Sequence, residues 1–187
     1  MDDLIRQIFD VGGAKGQSKP TAPTSENIKD KDAAEKERIR FFSLAAVKDP
    51  LVKKYGGLKT EKFCVYYLDK DCYVLNEVDF SGTVSSVEAD PQTLLFGAVK
   101  TEEMTFGITS VVIVHNHPNG NPRPSSMDDL STMRIADYFR LLGIKLYDHI
   151  IVGKNSVYSY FVSGRLEEIN KRLLEQDAAL NSRVRID

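Results

Sequence analysis

Residues 111–128 read VVIVHNHPNGNPRPSSMD, and this stretch limits the possible folds more than any other. Its four adjacent apolar residues, 111–114, predict a central strand buried on both faces. The strand ends in His115, and His117 follows two residues on. In extended backbone, side chains at i and i+2 share one side, so both imidazoles can face one point. A loop carrying Pro118, Gly120, Pro122 and Pro124 then leads to Ser125 and Asp128, where a helical pattern begins. Asp128 falls in the first turn of that helix and can close on the same point. Two histidines and one carboxylate, with no fourth protein ligand nearby, make a catalytic zinc set with one position left for water. Ser125-x-x-Asp128 also reads as a capping box. The two roles are compatible, because a capped helix start is a rigid place to hold a ligand. A lone histidine is more often packed or on the surface, but two of the chain's three stand at the mouth of this strand.

The remaining pattern supplies the elements around that strand. Residues 2–11 carry Leu4, Ile5, Ile8 and Phe9 at helical spacing, and residues 12–26 read as a Gly/Pro/Ser/Thr-rich linker. A helix solvated in its first half is expected from Asn27 through Val47, ending at Pro50, with Tyr55-Gly56-Gly57 as a break. Residues 63–68 and 72–75 flank the turn signal Asp69-Lys70-Asp71 as a hairpin, continued by a strand over 76–80 and another after Gly82. A helix starts at Asp90-Pro91 and should reach about Thr105–Gly107. The helix from Ser126 to about Leu142 should pack through Leu130, Met133, Ala136 and Phe139, with Gly143 as its stop. Strands over 145–152 and 157–162 follow. A final helix is marked by Leu166, Ile169, Leu173 and Leu174. The fold class is therefore α/β or α+β: a mixed sheet with helices on its faces.

Length and charge narrow the class further. At 187 residues the chain can form one domain with a sizeable core and modest extensions. A net charge of −2 gives no general pull toward nucleic acid or anionic lipid. No apolar run approaches the roughly 20 residues needed to span a bilayer, and Met1-Asp2-Asp3 carries no basic signal-peptide start. Cys64 and Cys72 are too few for a disulfide framework and read as reduced thiols. A cytoplasmic protein is expected. The H-x-E with P-C-x-x-C of zinc deaminases is absent, as is the H-E-x-x-H of helix-borne zinc proteases.

The loop motif, His115-Asn116-His117 through Ser125-x-x-Asp128, resembles the H-x-H-x7-S-x2-D pattern of JAB/MPN metalloproteases in the form carried by RadC-like proteins. Leu142-Gly143-Ile144, residues 148–153, Glu61-Lys62-Phe63 and Ser81-Gly82-Thr83 extend the resemblance to roughly residues 60–162. Asn119 and Asn121 depart from it, standing where the family often has Ser and Asp. The resemblance implies a JAB/MPN fold, similar in outline to cytidine deaminases, over residues 58–187, after an N-terminal segment and linker (1–26) and a helical lead-in (27–57). It implies Zn2+ held by His115, His117 and Asp128, with Ser125 donating to the tetrahedral intermediate. Glu61 is implied as general base, and Glu77 is its competitor. Asp148-His149 is a candidate to orient a ligand, or else a strand pair with a satisfied local hydrogen bond. The implied reaction is hydrolysis of a peptide or isopeptide bond, with a peptide or ubiquitin-like protein as substrate. A DNA-repair-associated accessory protein and a catalytically silent scaffold are the alternatives.

Overall fold

A computed structural model describes residues 39–80, 94 and 107–184. The expectations for residues 2–11, the linker, the first half of the lead-in helix and the strand after Gly82 lie outside them. So does the helix from Asp90, apart from Leu94, which is helical and buried.

Five strands form one mixed sheet in the order β2-β1-β3-β4-β5. These are β1 (Phe63–Leu68), β2 (Val74–Phe80), β3 (Ser110–Asn116), β4 (Lys145–Val152) and β5 (Val157–Ser159). β3 is central and buried along its whole length, as its unbroken apolar run requires. It pairs antiparallel with β1 and parallel with β4. The parallel pair is joined by the crossover helix α2 (Ser126–Leu141).

Alternation along the strands sorts two apolar layers. Phe63, Val65, Tyr67, Val111 and Ile113 pack with Ile135, Ala136 and Phe139 of α2 and with Leu166, Ile169 and Leu173 of α3 (Arg165–Val184). Cys64, Tyr66, Leu68, Val112 and Val114 face the other way, against Val47, Leu51 and Tyr55 of α1 (Leu44–Tyr55). The lead-in thus contributes, over its last third, one of the sheet's two covering layers.

Five sequence readings need correction. The helix over Leu44–Tyr55 does not run in from residues 39–43, which are not helical, because the Ser43 side chain accepts from the Ala46 N–H and caps it. It also runs through Pro50. The missing N–H there costs a helical hydrogen bond, but burial of Leu51 and Tyr55 beyond it, worth about 1.5–3 kcal/mol for a side chain such as leucine, offsets that loss. α2 buries Ser131, Thr132 and Ile135 beside Ala136 and Phe139, while Leu130 and Met133 are only partly covered. The last strand stops at Ser159, since residues 160–163 turn, leaving Phe161 and Val162 exposed. In α3, Leu174 points to solvent.

No helix among the described residues is long and apolar enough to cross a membrane. Cys64 and Cys72 are unpaired thiols, and burial pushes Cys64 up to about 12, far from a reactive thiolate.

Candidate metal centre

The end of β3 and the start of α2 converge as the spacing predicted. His115 pairs with Phe63 of β1, whose side chain belongs to the α2-facing layer. His117 follows one step past the strand, its N–H bonded to the Val152 carbonyl at 2.9 Å. Asp128 lies in the first turn of α2, and Ser125 caps that helix in a reciprocal box. The Asp128 Oδ2 atom accepts from the Ser125 N–H at 2.6 Å and from its hydroxyl at 2.7 Å. His115 is completely buried and Asp128 nearly so, while His117 is partly open.

The three side chains meet at short range. His115 Nε2 is 3.0 Å from His117 Nε2 and 3.3 Å from Asp128 Oδ1, and His117 Nε2 is 3.4 Å from Asp128 Oδ2. A tetrahedron with bonds of about 2.0–2.1 Å has edges of roughly 3.3 Å, so these separations suit three ligands of one small divalent cation.

The hydrogen bonds behind the trio decide which nitrogens carry protons. His117 Nδ1 lies 2.8 Å from the Asn121 carbonyl, which can only accept, so Nδ1 is protonated and, in the neutral ring, Nε2 is bare. His115 Nδ1 lies 2.8 Å from His149 Nε2, and His149 Nδ1 lies 2.6 Å from Thr132 Oγ1. The Thr132 hydroxyl donates in turn to the Asp128 carbonyl. That terminal carbonyl fixes the direction of the whole chain. Thr132 spends its one proton on it and accepts from His149, and His149 accepts from His115. Nε2 of His115 is therefore bare as well. Two imidazole lone pairs and a carboxylate face one another with no donor between them, which is the arrangement a cation resolves.

The Asp128 carboxylate beside His117 raises the pKa of that imidazole above its ordinary value, so a proton competes with a cation for its Nε2. Burial alone would raise Asp128, yet the histidines and Ser125 hold its carboxyl far below the usual range. Burial drives His149 the other way, so it stays neutral, as a relay of this polarity needs. Its ring stacks on Tyr160 at 4.8 Å between centroids, which fixes its plane.

Comparison with known proteins accords with this geometry. A family described as RadC-like JAB domain matches residues 41–166. This chain belongs to the RadC-like JAB domain family. UPF0758 protein YfjY of Escherichia coli (strain K12) is 33% identical over 129 residues, covering 68% of this chain and 78% of that protein. UPF0758 protein YeeS of the same strain is 33% identical over 129 residues, covering 68% of this chain and 84% of its own. UPF0758 protein SAOUHSC_01763 of Staphylococcus aureus (strain NCTC 8325 / PS 47) is 32% identical over 136 residues, covering 72% of this chain and 60% of its own.

In this RadC-like JAB domain the other candidates are sorted by strand face. Glu61 stands in the loop before β1, held on both sides by Asn116. The Asn116 side chain accepts from the Lys62 N–H at 2.8 Å and donates to the Thr60 carbonyl at 3.1 Å. The charge of Glu61 is among the influences that raise His117. Glu77 is opposite Tyr66 on β2, in the layer that faces α1, and is ion-paired with Lys54. It lies across the sheet from His115 and cannot serve the centre.

Asp148 and His149 part company. A register shift passes over Tyr147, pairing Val111 with Leu146 and Val112 with Asp148. The extra residue puts His149 on the α2-facing side with Ile113, and it leaves Asp148 on the other side. There Asp148 accepts from the Ser159 hydroxyl at 2.6 Å and from the Phe161 N–H at 2.9 Å, holding the turn after β5. Of the pair, only His149 contacts a member of the trio. Sequence reasoning missed Thr132 and Asn116. Thr132 carries a usable signal, standing one helical turn after Asp128. Asn116 carries little, because an amide between two histidines suggests no partner across the sheet.

Proposed function

We propose that this RadC-like JAB domain protein is a zinc-dependent metallohydrolase of the cytoplasm that cleaves a peptide or isopeptide bond with an activated water. The observation that carries this reading is the convergence of two bare imidazole nitrogens and one carboxylate, each fixed from behind by hydrogen bonds, with no fourth protein ligand beside them among the described residues. A closed structural site would use four protein ligands, whereas three leave a position for reaction. When bound, zinc lowers the pKa of a coordinated water to about 7 and polarises the substrate carbonyl.

The chain's own groups supply the rest. Glu61, fixed through Thr60 and Lys62, takes the proton of the attacking water and returns it to the leaving nitrogen. Ser125 sits beside Asp128 and donates to the developing oxyanion. Its single proton goes to Asp128 Oδ2 in the resting arrangement, so donation to substrate requires the hydroxyl to turn. The substrate is a polypeptide, with a ubiquitin-like protein as one class. An accessory role in DNA repair is weaker for a chain of net charge −2, and retention of a complete ligand trio argues against a silent scaffold.

Substrate trapping tests the assignment. Glu61→Gln should retain bound protein that wild type processes, and His117→Ala should lose it. Full hydrolysis of the trapped protein by both variants would overturn the roles.

A further inference from the structure

A groove of about 440 Å³ lies between the loop leaving α1 and the loop leaving His117. Its walls include Leu58 and Lys59 on one side, Pro118 and Asn119 on the other, and Lys154 and Asn155 beneath. One wall runs two residues further into Glu61, and the other begins directly after His117. The lining therefore adjoins His117 in the chain and stops two residues short of Glu61. Its walls are held rigid: the Lys154 N–H bonds the Gly120 carbonyl at 3.1 Å, and a Cβ on Gly56 would fall 2.7 Å from the Lys154 carbonyl.

The charge of this groove runs against that of the chain. The described residues that line it include Lys59 and Lys154 and no Asp or Glu, in a chain of net charge −2. Lys59 and Lys154 are exposed, and neither has an ion-pair partner among the described residues. Asn119 uses its side-chain oxygen on the Asn121 N–H at 2.9 Å, which leaves its amide hydrogens to donate. Two ammonium groups and an amide donor, with Leu58 and Pro118 in the same lining, match carboxylates spaced along an extended backbone.

We propose that this groove takes an acidic polypeptide segment of the substrate, so that Asp and Glu side chains next to the cleaved bond contact Lys59 and Lys154. The proposal rests on the hydrolase reading only for the placement of the bond. A peptide fits better than a single-stranded nucleic acid, because none of the described residues lining the groove is aromatic, so bases have no ring to stack on there. The exposed rings of Phe42 and Phe161 line a different pocket, with Tyr147.

Fluorescence anisotropy on the zinc-loaded full chain tests it with three labelled probes. These are a short Asp/Glu-rich peptide, the same peptide with Asn and Gln in place of every acid, and a short oligothymidylate. The acidic peptide should bind about tenfold more tightly than its amide counterpart, from two exposed ion pairs and the field around them. That preference should shrink as salt rises. Lys59→Glu with Lys154→Glu should abolish it, while Lys171→Glu on exposed α3 should leave it unchanged. Equal binding of the two peptides, indifference to the double reversal, or tighter binding of the oligothymidylate would overturn the proposal. Acidic-peptide binding with this pattern but no cleavage of any peptide would keep the groove and remove the hydrolase reading. Cleavage without acidic preference would do the opposite.

Discussion

His115 and His149 sit on neighbouring parallel strands with Nδ1 of the first 2.8 Å from Nε2 of the second, both rings fully buried. The contact has a direction, because the chain beyond it ends on the Asp128 carbonyl by way of Thr132. A hydroxyl one helical turn past Asp128 therefore sets the tautomer of His115. Thr132→Val keeps the shape, removes the acceptor of His149 and frees that chain to reverse. Metal affinity should fall roughly 10–100-fold, the usual cost of losing such a support. Thr132→Ser should stay within a few-fold of wild type. Competition titration against a chromophoric chelator measures both, and equal affinities for all three proteins would remove the relay from the account.

Asn116 ties the segment bearing Glu61 to the strand bearing both histidines. Asn116→Ala removes two hydrogen bonds at a residue only 1% exposed, which should cost about 2 kcal/mol of stability. Metal affinity should change little, because neither bond touches a ligand. Hydrolysis should fall with the displacement of Glu61. Denaturant melts and chelator competition on one preparation separate these effects; a large loss of metal would show that Asn116 supports the ligands themselves.

Gly153 is packed where a side chain cannot enter. A Cβ there would lie 2.5 Å from the Gly120 carbonyl and 2.8 Å from Pro122 Cδ, so Gly153→Ala should push on the loop whose Asn121 carbonyl orients His117. We expect a loss of about 1–3 kcal/mol together with weaker metal binding. Gly143 has a φ of +72° with nothing near its Cβ position, so Gly143→Ala should cost about 1 kcal/mol of strain and leave the metal alone. The contrast is read from thermal melts with and without zinc. Equal effects on zinc binding would contradict it.

Burial lifts the Asp148 carboxyl to about 6, despite the donors that surround it. Because its folded pKa lies above its unfolded value, the protonated form favours the native state. The associated stability is present below about pH 4 and is lost as pH rises through about 6. Two pKa units correspond to about 3 kcal/mol at most. The difference in stability between wild type and Asp148→Asn should change by an amount of this order between pH 4 and 6, then level off. A difference that is flat across this window would mean Asp148 is charged at no cost.

Much of the centre was legible because local rules suffice there. The apolar run before His115 specifies a buried central strand, the i, i+2 spacing of the histidines puts both near its end, and Ser125-x-x-Asp128 starts a helix. Each of these is set by residues within one element. His149 was named but its face was not readable, since the extra residue at Tyr147 inverts the alternation counted from Leu146. Helix α1 passing through Pro50 escaped for a similar reason: the packing of Leu51 and Tyr55 on the sheet outweighs a local penalty. Likewise the strand expected over 157–162 ends early because Asp148, from another strand, captures Ser159 and the Phe161 N–H. Each miss depends on a contact between elements, which spacing within one element does not encode.

Metal content tests the central claim most directly. Protein purified without added zinc should carry close to one zinc per chain by plasma mass spectrometry, and His115→Ala and Asp128→Ala should carry almost none while remaining folded. A folded wild type that is metal-free and takes up no zinc on titration, or variants that bind as much zinc as wild type, would contradict the account.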